Sequence, residues 1–131
     1  MENNLDLQNK HNDYLSPDIE NRILELLKDW EQTNGFIQRD IKLAYLAKAL
    51  GFNRKYISYV INKNLNKSFP NYINDLRLSF IENMIGEFEP NSKLNLTSLA
   101  KLAGFSSYFK FAHYIKKTYD MNPTYYFRRK R

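Results

Sequence analysis

Residues 46–52 (LAKALGF) and residues 99–105 (LAKLAGF) are two versions of one heptapeptide. They lie 53 positions apart and are identical at five of seven positions. Beyond the glycines the offset becomes 54, and matching residues continue, as in Ile57 with Phe111. A repeat of this kind indicates that one structural unit occurs twice in the chain.

Each copy reads as a short amphipathic helix, a glycine turn and a second helix. In the first copy, apolar residues recur at helical spacing up to Leu50, and Gly51 ends the helix. Asn53 is placed to cap the next helix, as Ser106 is in the second copy. Two short helices joined by such a turn form a helix-turn-helix, whose second helix can lie in the major groove of DNA. The alternative is a plain helical hairpin used for packing.

The rest of the chain also reads as helix, since no segment shows sustained two-residue alternation. Ser16 and Pro17 start a first helix, Ser68 opens a longer one, and Gly86 with residues 90–92 (PNS) breaks it. We predict an all-α fold of about seven helices, with two helix-turn-helix subdomains joined by a long linker helix. The predicted divisions are a flexible polar segment at 1–15, a first subdomain at 16–67, the linker helix at 68–86 and a second subdomain at 87–131.

The charge of the chain is unevenly distributed. Residues 1–35 hold eight acids and three bases (net −5), whereas residues 36–131 hold six acids and seventeen bases (net +11), which together give +6. The basic body favours a polyanionic partner, with a solvated lysine-rich surface as the alternative, and charge does not separate DNA from RNA or an anionic membrane.

Cysteine content and hydropathy exclude several classes of protein. The chain has no cysteine, which excludes a disulfide framework and a thiolate metal site. Its apolar runs are far shorter than the roughly 20 residues that cross a bilayer. We expect a cytoplasmic location, no membrane contact by this segment, no metal and no cofactor.

Both copies carry further residues at spacings that match a known pattern. In the second copy these are Leu96-Thr97-Ser98-Leu99-Ala100, Ala103-Gly104-Phe105-Ser106, Phe111, Lys116-Lys117 and Asn122-Pro123. In the first copy they are Leu46-Ala47, Gly51, Tyr56-Ile57-Ser58, Phe69, Tyr72-Ile73-Asn74 and Leu76-Arg77. With these residues, over about 41–128, the chain resembles the DNA-binding domain of AraC-type transcription regulators.

The chain departs from that family's pattern at a few positions. Asn66 and Asp120 replace the glycine that usually follows each second helix, and both residue types can adopt the left-handed conformation that the turn requires. Lys42 stands where a capping Thr is usual, so Asp40 is an alternative cap for the first short helix.

The resemblance implies sequence-specific binding of double-stranded DNA for transcription regulation. Two recognition helices would read adjacent major-groove segments on one face of DNA, about one helical turn apart. Such domains usually form the C-terminal output domain of a longer regulator. Further partners that it allows are RNA polymerase, a sensor domain in a longer chain and a second copy of the chain. The alternative is a helical protein–protein interaction module, and no phosphate loop or nucleophile–base pair suggests an enzyme.

Helical periodicity assigns the faces of the two recognition helices. Ile57 marks the core side of the first and Phe111 that of the second. On the opposite faces, Lys55 could donate to guanine and Phe109 could contact a thymine methyl group. The predicted DNA-binding residues, including flanking polar and basic side chains, are Asn53, Arg54, Lys55, Ser58, Tyr59, Asn62, Lys63, Ser106, Ser107, Phe109, Lys110, His113, Lys116 and Lys117.

Two of the remaining polar residues have competing interpretations. His113 is exposed in the helical projection, and a lone histidine favours a surface role over a metal site. Arg77 in the linker helix could contact phosphate, but we expect it to brace the two halves through a carboxylate such as Asp75 or Glu82.

Overall fold

The computed structural model describes residues 14–86 and 95–130 of the chain. These residues form helices and connecting turns without a strand, so the predicted all-α fold is confirmed. The predicted break at residues 90–92 and nearly all of the predicted flexible segment lie outside the described residues. The described elements are α1 (Pro17–Gln32), a 3₁₀ turn (Gly35–Ile37), α2 (Leu43–Leu50), α3 (Arg54–Leu65), α4 (Phe69–Gly86), α5 (Leu96–Leu102), α6 (Tyr108–Tyr119) and α7 (Pro123–Lys130).

The helix boundaries follow local signals in the sequence. The Ser16 side chain accepts a hydrogen bond from the backbone N–H of Ile19, and Pro17 is the first residue of α1. Gly51 ends α2 with φ of 81°, in the left-handed region where glycine carries no Cβ penalty. Asn66 and Asp120 end α3 and α6 with φ of 55° and 57°. The left-handed turns expected after both recognition helices are therefore confirmed.

Two predicted caps are wrong. Ser107, and not Ser106, caps α6, because its hydroxyl oxygen accepts the N–H of Lys110 at 3.1 Å. The offset between the two copies of the repeat is already 54 residues at this point, so Ser107 corresponds to Asn53. At α2, Lys42 occupies the N-cap position without a side-chain hydrogen bond, so Asp40 is not the cap.

The described chain divides into two compact units. The first consists of residues up to 33 together with residues 42–69, and the second consists of residues 34–41 together with residues from 70 onward. This grouping assigns nearly all of α4, the predicted linker helix, to the second unit. It does not test the predicted domain boundaries, which stay a prediction.

The first unit is built from α1, α2 and α3, which pack against one another. Ile23 and Leu27 of α1, Leu46 of α2, and Ile57 and Ile61 of α3 are fully buried at their contact. Because the apolar residues of α3 recur on one side of the helix, its opposite side is turned to the surface.

The second unit has its own apolar core. Leu78 and Ile81 of α4 pack with Leu99 of α5 and with Phe111 and Ile115 of α6. Phe111 and Ile115 have no exposed surface, so they hold the core side of α6 inward as the periodicity predicted. The opposite side of α6 is left on the surface.

Hydrogen bonds to the carboxylates of α4 hold α6 and α7 in place. Asp75 accepts a hydrogen bond from the hydroxyl of Tyr114 at 2.5 Å and from that of Tyr119 at 2.9 Å. Glu82 accepts one from the hydroxyl of Tyr126 in α7 at 3.1 Å. Since Tyr114 and Tyr119 belong to α6, these bonds help to set which side of α6 faces outward.

Arg77 is buried, and its partners differ from those predicted. Its Nε donates to the carbonyl of Phe36 at 2.9 Å and its NH2 group donates to that of Gln38 at 3.0 Å. The expected pairing with Asp75 or Glu82 is therefore wrong. The planar guanidinium carries several N–H donors, so it can donate to two carbonyl groups of this loop at once. Burial lowers the pKa of Arg77, while the charge of Asp40 opposes that shift.

Candidate nucleic-acid interface

The surface side of α3 combines cations with polar side chains. Asn53 caps the helix by accepting the N–H of Tyr56 at 2.9 Å, and Arg54 and Lys55 lie exposed in the first turn. Further along α3, the side-chain amide of Asn62 donates a hydrogen bond to the backbone carbonyl of Ser58 at 2.9 Å. This bond holds the Asn62 amide along the helix, while its carbonyl oxygen stays on the same exposed side.

A cleft of 710 Å³ lies along this side of α3. Five of the predicted DNA-binding residues line it, and two of the five are cations. The positive charges on this surface attract a polyanion. The lining residues are Tyr14, Leu43, Arg54, Lys55, Ser58, Tyr59 and Asn62.

Residues before and within α1 also touch this side of α3. The Tyr14 backbone N–H donates to the hydroxyl of Tyr59 at 3.1 Å, and the two rings lie 5.2 Å apart. The Tyr14 ring meets Tyr56 edge-on at 5.8 Å, and Glu20 accepts a hydrogen bond from Lys63 at 2.9 Å. These contacts were missed from the sequence, in which only the acidic excess of residues 1–35 hinted at them.

The surface side of α6 carries an aromatic pair beside its cations. Phe109 is 74% exposed and stacks on His113, with ring centroids 5.8 Å apart and planes 16° from parallel. Lys110 and Lys117 are exposed. Lys116 is exposed as well, and its Nζ lies 2.9 Å from a carboxylate oxygen of Asp120. The hydrogen bond between these two side chains lowers the pKa of Asp120.

The fourteen predicted DNA-binding residues lie on α3, on α6 or just before these helices, and none of them is buried. Seven belong to the first unit and seven to the second. The structure brings each set together on one side of its own helix. Each of the two helices carries three Lys or Arg residues and no carboxylate.

No group of three or more His, Asp or Glu side chains in residues 14–86 and 95–130 could hold a metal ion. None of the described helices has the length and apolarity needed to cross a membrane.

Two helix-turn-helix units, each with an exposed basic second helix, are the arrangement typical of helix-turn-helix proteins that bind DNA. A family model described as "Helix-turn-helix domain" matches residues 46–129. The chain therefore belongs to this family, the AraC-type helix-turn-helix transcription regulators, and the resemblance stated from the sequence is confirmed.

Solved structures show the same fold. The C-terminal domain of AraT, a response regulator from Geobacillus stearothermophilus, is 23% identical and has a TM-score of 0.60, with 89% of this chain and 88% of that chain covered. A protein of unknown function from Listeria innocua is also 23% identical, with a TM-score of 0.56 over 73% of this chain and 87% of that one. At this identity the likeness concerns the fold. No curated protein matches the chain.

Proposed function

We propose that this chain binds double-stranded DNA sequence-specifically and serves as the output domain of a transcription regulator. The observation that carries the proposal is the shared design of α3 and α6. Each helix buries one apolar side and carries three Lys or Arg residues and no Asp or Glu of its own. Membership in the AraC-type family supports DNA as the polyanion.

Phosphate contacts would position the two helices without reading sequence. Arg54 and Lys63 on α3, with Lys110 and Lys117 on α6, are the cations proposed for this role. Each such contact releases counterions from the duplex, so affinity should fall steeply with salt. The capped N-termini of both helices add backbone N–H groups that can face a phosphate.

Base contacts would come from the centre of each exposed side. Lys55 can donate to guanine O6 and N7, and the stacked Phe109 can contact a thymine methyl group. His113 is held flat against Phe109, so that both rings can enter the groove together. We propose that α3 and α6 read different half-sites about one helical turn apart, as the family implies.

A binding selection against random duplexes tests the proposal. The wild-type chain should enrich a bipartite motif, Lys55→Ala should relax base preference in one half, and Phe109→Ala should relax it in the other. Enrichment of one short undivided motif, with both variants altered at the same base position, would contradict the two-helix arrangement.

Salt dependence separates DNA binding from a protein–protein interaction module. With several phosphate contacts, affinity for the selected duplex should fall by orders of magnitude between about 50 and 200 mM salt. If no duplex is bound, or if affinity does not respond to salt, the DNA-binding proposal fails.

Several parts of the proposal concern the wider setting of the chain. A non-enzymatic role and a cytoplasmic location stay predictions. RNA polymerase, a sensor domain and a second copy of the chain likewise stay predicted partners, each to be tested by binding measurements of its own.

A further inference from the structure

We propose that the segment from Tyr14 to Glu20 competes with DNA for the exposed side of α3. This inference rests on the proposed function, since it concerns how the same surface is regulated. The segment contacts α3 at two points one turn apart, at Tyr59 and at Lys63. Residues four apart in a helix share one side, so both contacts fall on the side assigned to DNA.

The contact at Lys63 is an ion pair. The Nζ of Lys63 lies 2.9 Å from a carboxylate oxygen of Glu20, whose side chain is only 12% exposed. The hydrogen bond from Lys63 to Glu20 also raises the pKa of Lys63. A phosphate that uses Lys63 must share this cation with Glu20 or displace the carboxylate. Glu20 therefore lowers the net charge that α3 offers to a duplex.

The contact at Tyr59 combines a hydrogen bond with ring packing at the edge of the cleft on α3. The Tyr14 ring lies against Tyr59 and Tyr56 and forms part of the cleft wall. Leu15, the next residue, is 5% exposed, and Ser16 caps α1. The segment is thus anchored by the core and by the cap between its two contacts with α3.

Charge favours competition with DNA over an added DNA contact. Residues 14–21 (YLSPDIEN) include two acids, Asp18 and Glu20, and no base. A segment that extended the DNA-binding surface would lie next to phosphates, and these repel acidic side chains. An acidic segment in contact with a basic helix instead takes the place that the polyanion would have there.

Glu20→Gln tests the ionic contact, because glutamine keeps the shape and removes the charge. The matched control is Glu25→Gln on the same helix, since the ion pair of Glu25 is with exposed Arg22 of α1. We expect Glu20→Gln to bind the selected duplex about two- to fivefold more tightly than Glu25→Gln does. Its slope of log affinity against log salt should also steepen by about 0.9, as for one added phosphate contact.

Two further variants test the mechanism. In a Lys63→Ala background the effect of Glu20→Gln should vanish, because Glu20 acts through Lys63. Tyr14→Ala should tighten binding by about twofold or more, judged against Tyr45→Ala, another half-exposed tyrosine of the first unit. Circular dichroism and urea unfolding of each variant confirm that it is folded before its affinity is compared.

The outcomes distinguish this inference from the proposed function. Tighter binding by Glu20→Gln and Tyr14→Ala supports the competition. Equal affinities of Glu20→Gln and Glu25→Gln, or weaker binding by folded Tyr14→Ala, would overturn it while DNA binding stands. If the wild-type chain enriches no duplex and the Glu20 and Tyr14 variants bind none either, the proposed function fails and the competition fails with it.

Discussion

The guanidinium of Arg77 donates a 2.9 Å hydrogen bond from its Nε to the carbonyl oxygen of Phe36, 41 residues earlier in the chain. A second hydrogen bond, from NH2 of Arg77 to the carbonyl of Gln38, also ties the residue after the 3₁₀ turn to α4. The same guanidinium lies 5.4 Å from the ring centroid of Phe105. The buried guanidinium thus donates hydrogen bonds to two backbone carbonyl groups.

Replacing Arg77 by methionine should destabilise the chain by about 2–4 kcal/mol, because two carbonyl oxygens lose their donors inside the protein. Urea unfolding monitored by circular dichroism gives the change in the free energy of unfolding. Arg54→Met, at an exposed position of α3, should stay within about 0.5 kcal/mol of wild type. Arg77→Lys should recover little, since an ammonium group lacks the planar fork. Equal stability of the Arg77 and Arg54 variants would contradict this role.

Gly104→Ala should cost more stability than Gly51→Ala. Both glycines have positive φ, 108° and 81° respectively, so alanine is strained at either position. At Gly104 an added Cβ would also lie 2.5 Å from the carbonyl oxygen of Ile37 and 2.9 Å from Nε of Arg77. At Gly51 nothing lies within 4 Å. We expect a loss of about 1–2 kcal/mol at Gly51 and more than about 3 kcal/mol at Gly104 in urea unfolding.

Ser107→Ala should cost about 1 kcal/mol, since it removes the side-chain oxygen that caps α6. Ser106→Ala removes the same atoms from the neighbouring exposed residue and should change stability by less than about 0.5 kcal/mol. Thermal unfolding of the two variants provides the comparison. The reverse order would show that the cap lies one residue earlier.

Stability should fall in alkaline solution because of buried tyrosines. Burial, reinforced by the hydrogen bond to Asp75, raises the pKa of Tyr119 to about 12. Burial also raises the pKa of Tyr114 and of Tyr126. Since the unfolded value is about 10, the folded state favours the neutral phenol. The stabilisation is complete below about pH 10 and is lost as the pH rises through the folded-state pKa.

Urea unfolding at a series of pH values from about 9 to 12 checks this dependence. Tyr119→Phe should lose less stability over that range than wild type, although it starts lower because the hydrogen bond to Asp75 is gone. Tyr125→Phe alters an exposed tyrosine of the same unit and should follow the wild-type curve. Parallel curves for all three proteins would refute the assignment.

Phe109→Ala should change DNA recognition without lowering stability. Its side chain is 74% exposed, so its removal should alter the free energy of unfolding by less than about 0.5 kcal/mol. Loss of an apolar contact to a thymine methyl group should relax the preference for thymine at one base position. Tyr125→Ala, an exposed aromatic outside α6, is the control for the selection. An unchanged motif for Phe109→Ala would remove Phe109 from the reading surface.

The exposed sides of α3 and α6 could be predicted because side chains recur along a helix with a fixed period. Ile57 and Phe111 mark the buried sides, and the opposite residues follow from the helical rotation alone. The predicted cap of α6, Ser106, lies one residue before the observed cap, Ser107. The 54-residue offset of the repeat pairs Ser107 with Asn53. The alignment of the two copies of the repeat is therefore enough to identify this cap.

By itself the sequence determined the helices and the exposed sides of α3 and α6, because these depend on residues a few positions apart. Only the tertiary structure decided the partners of the polar side chains. Lys63 finds Glu20 at a separation of 43 residues, Tyr59 finds Tyr14 at 45, and Arg77 finds Phe36 at 41. No local period encodes such pairs, since they arise when packed helices bring distant segments together, and the burial that packing creates decides which donor meets which acceptor.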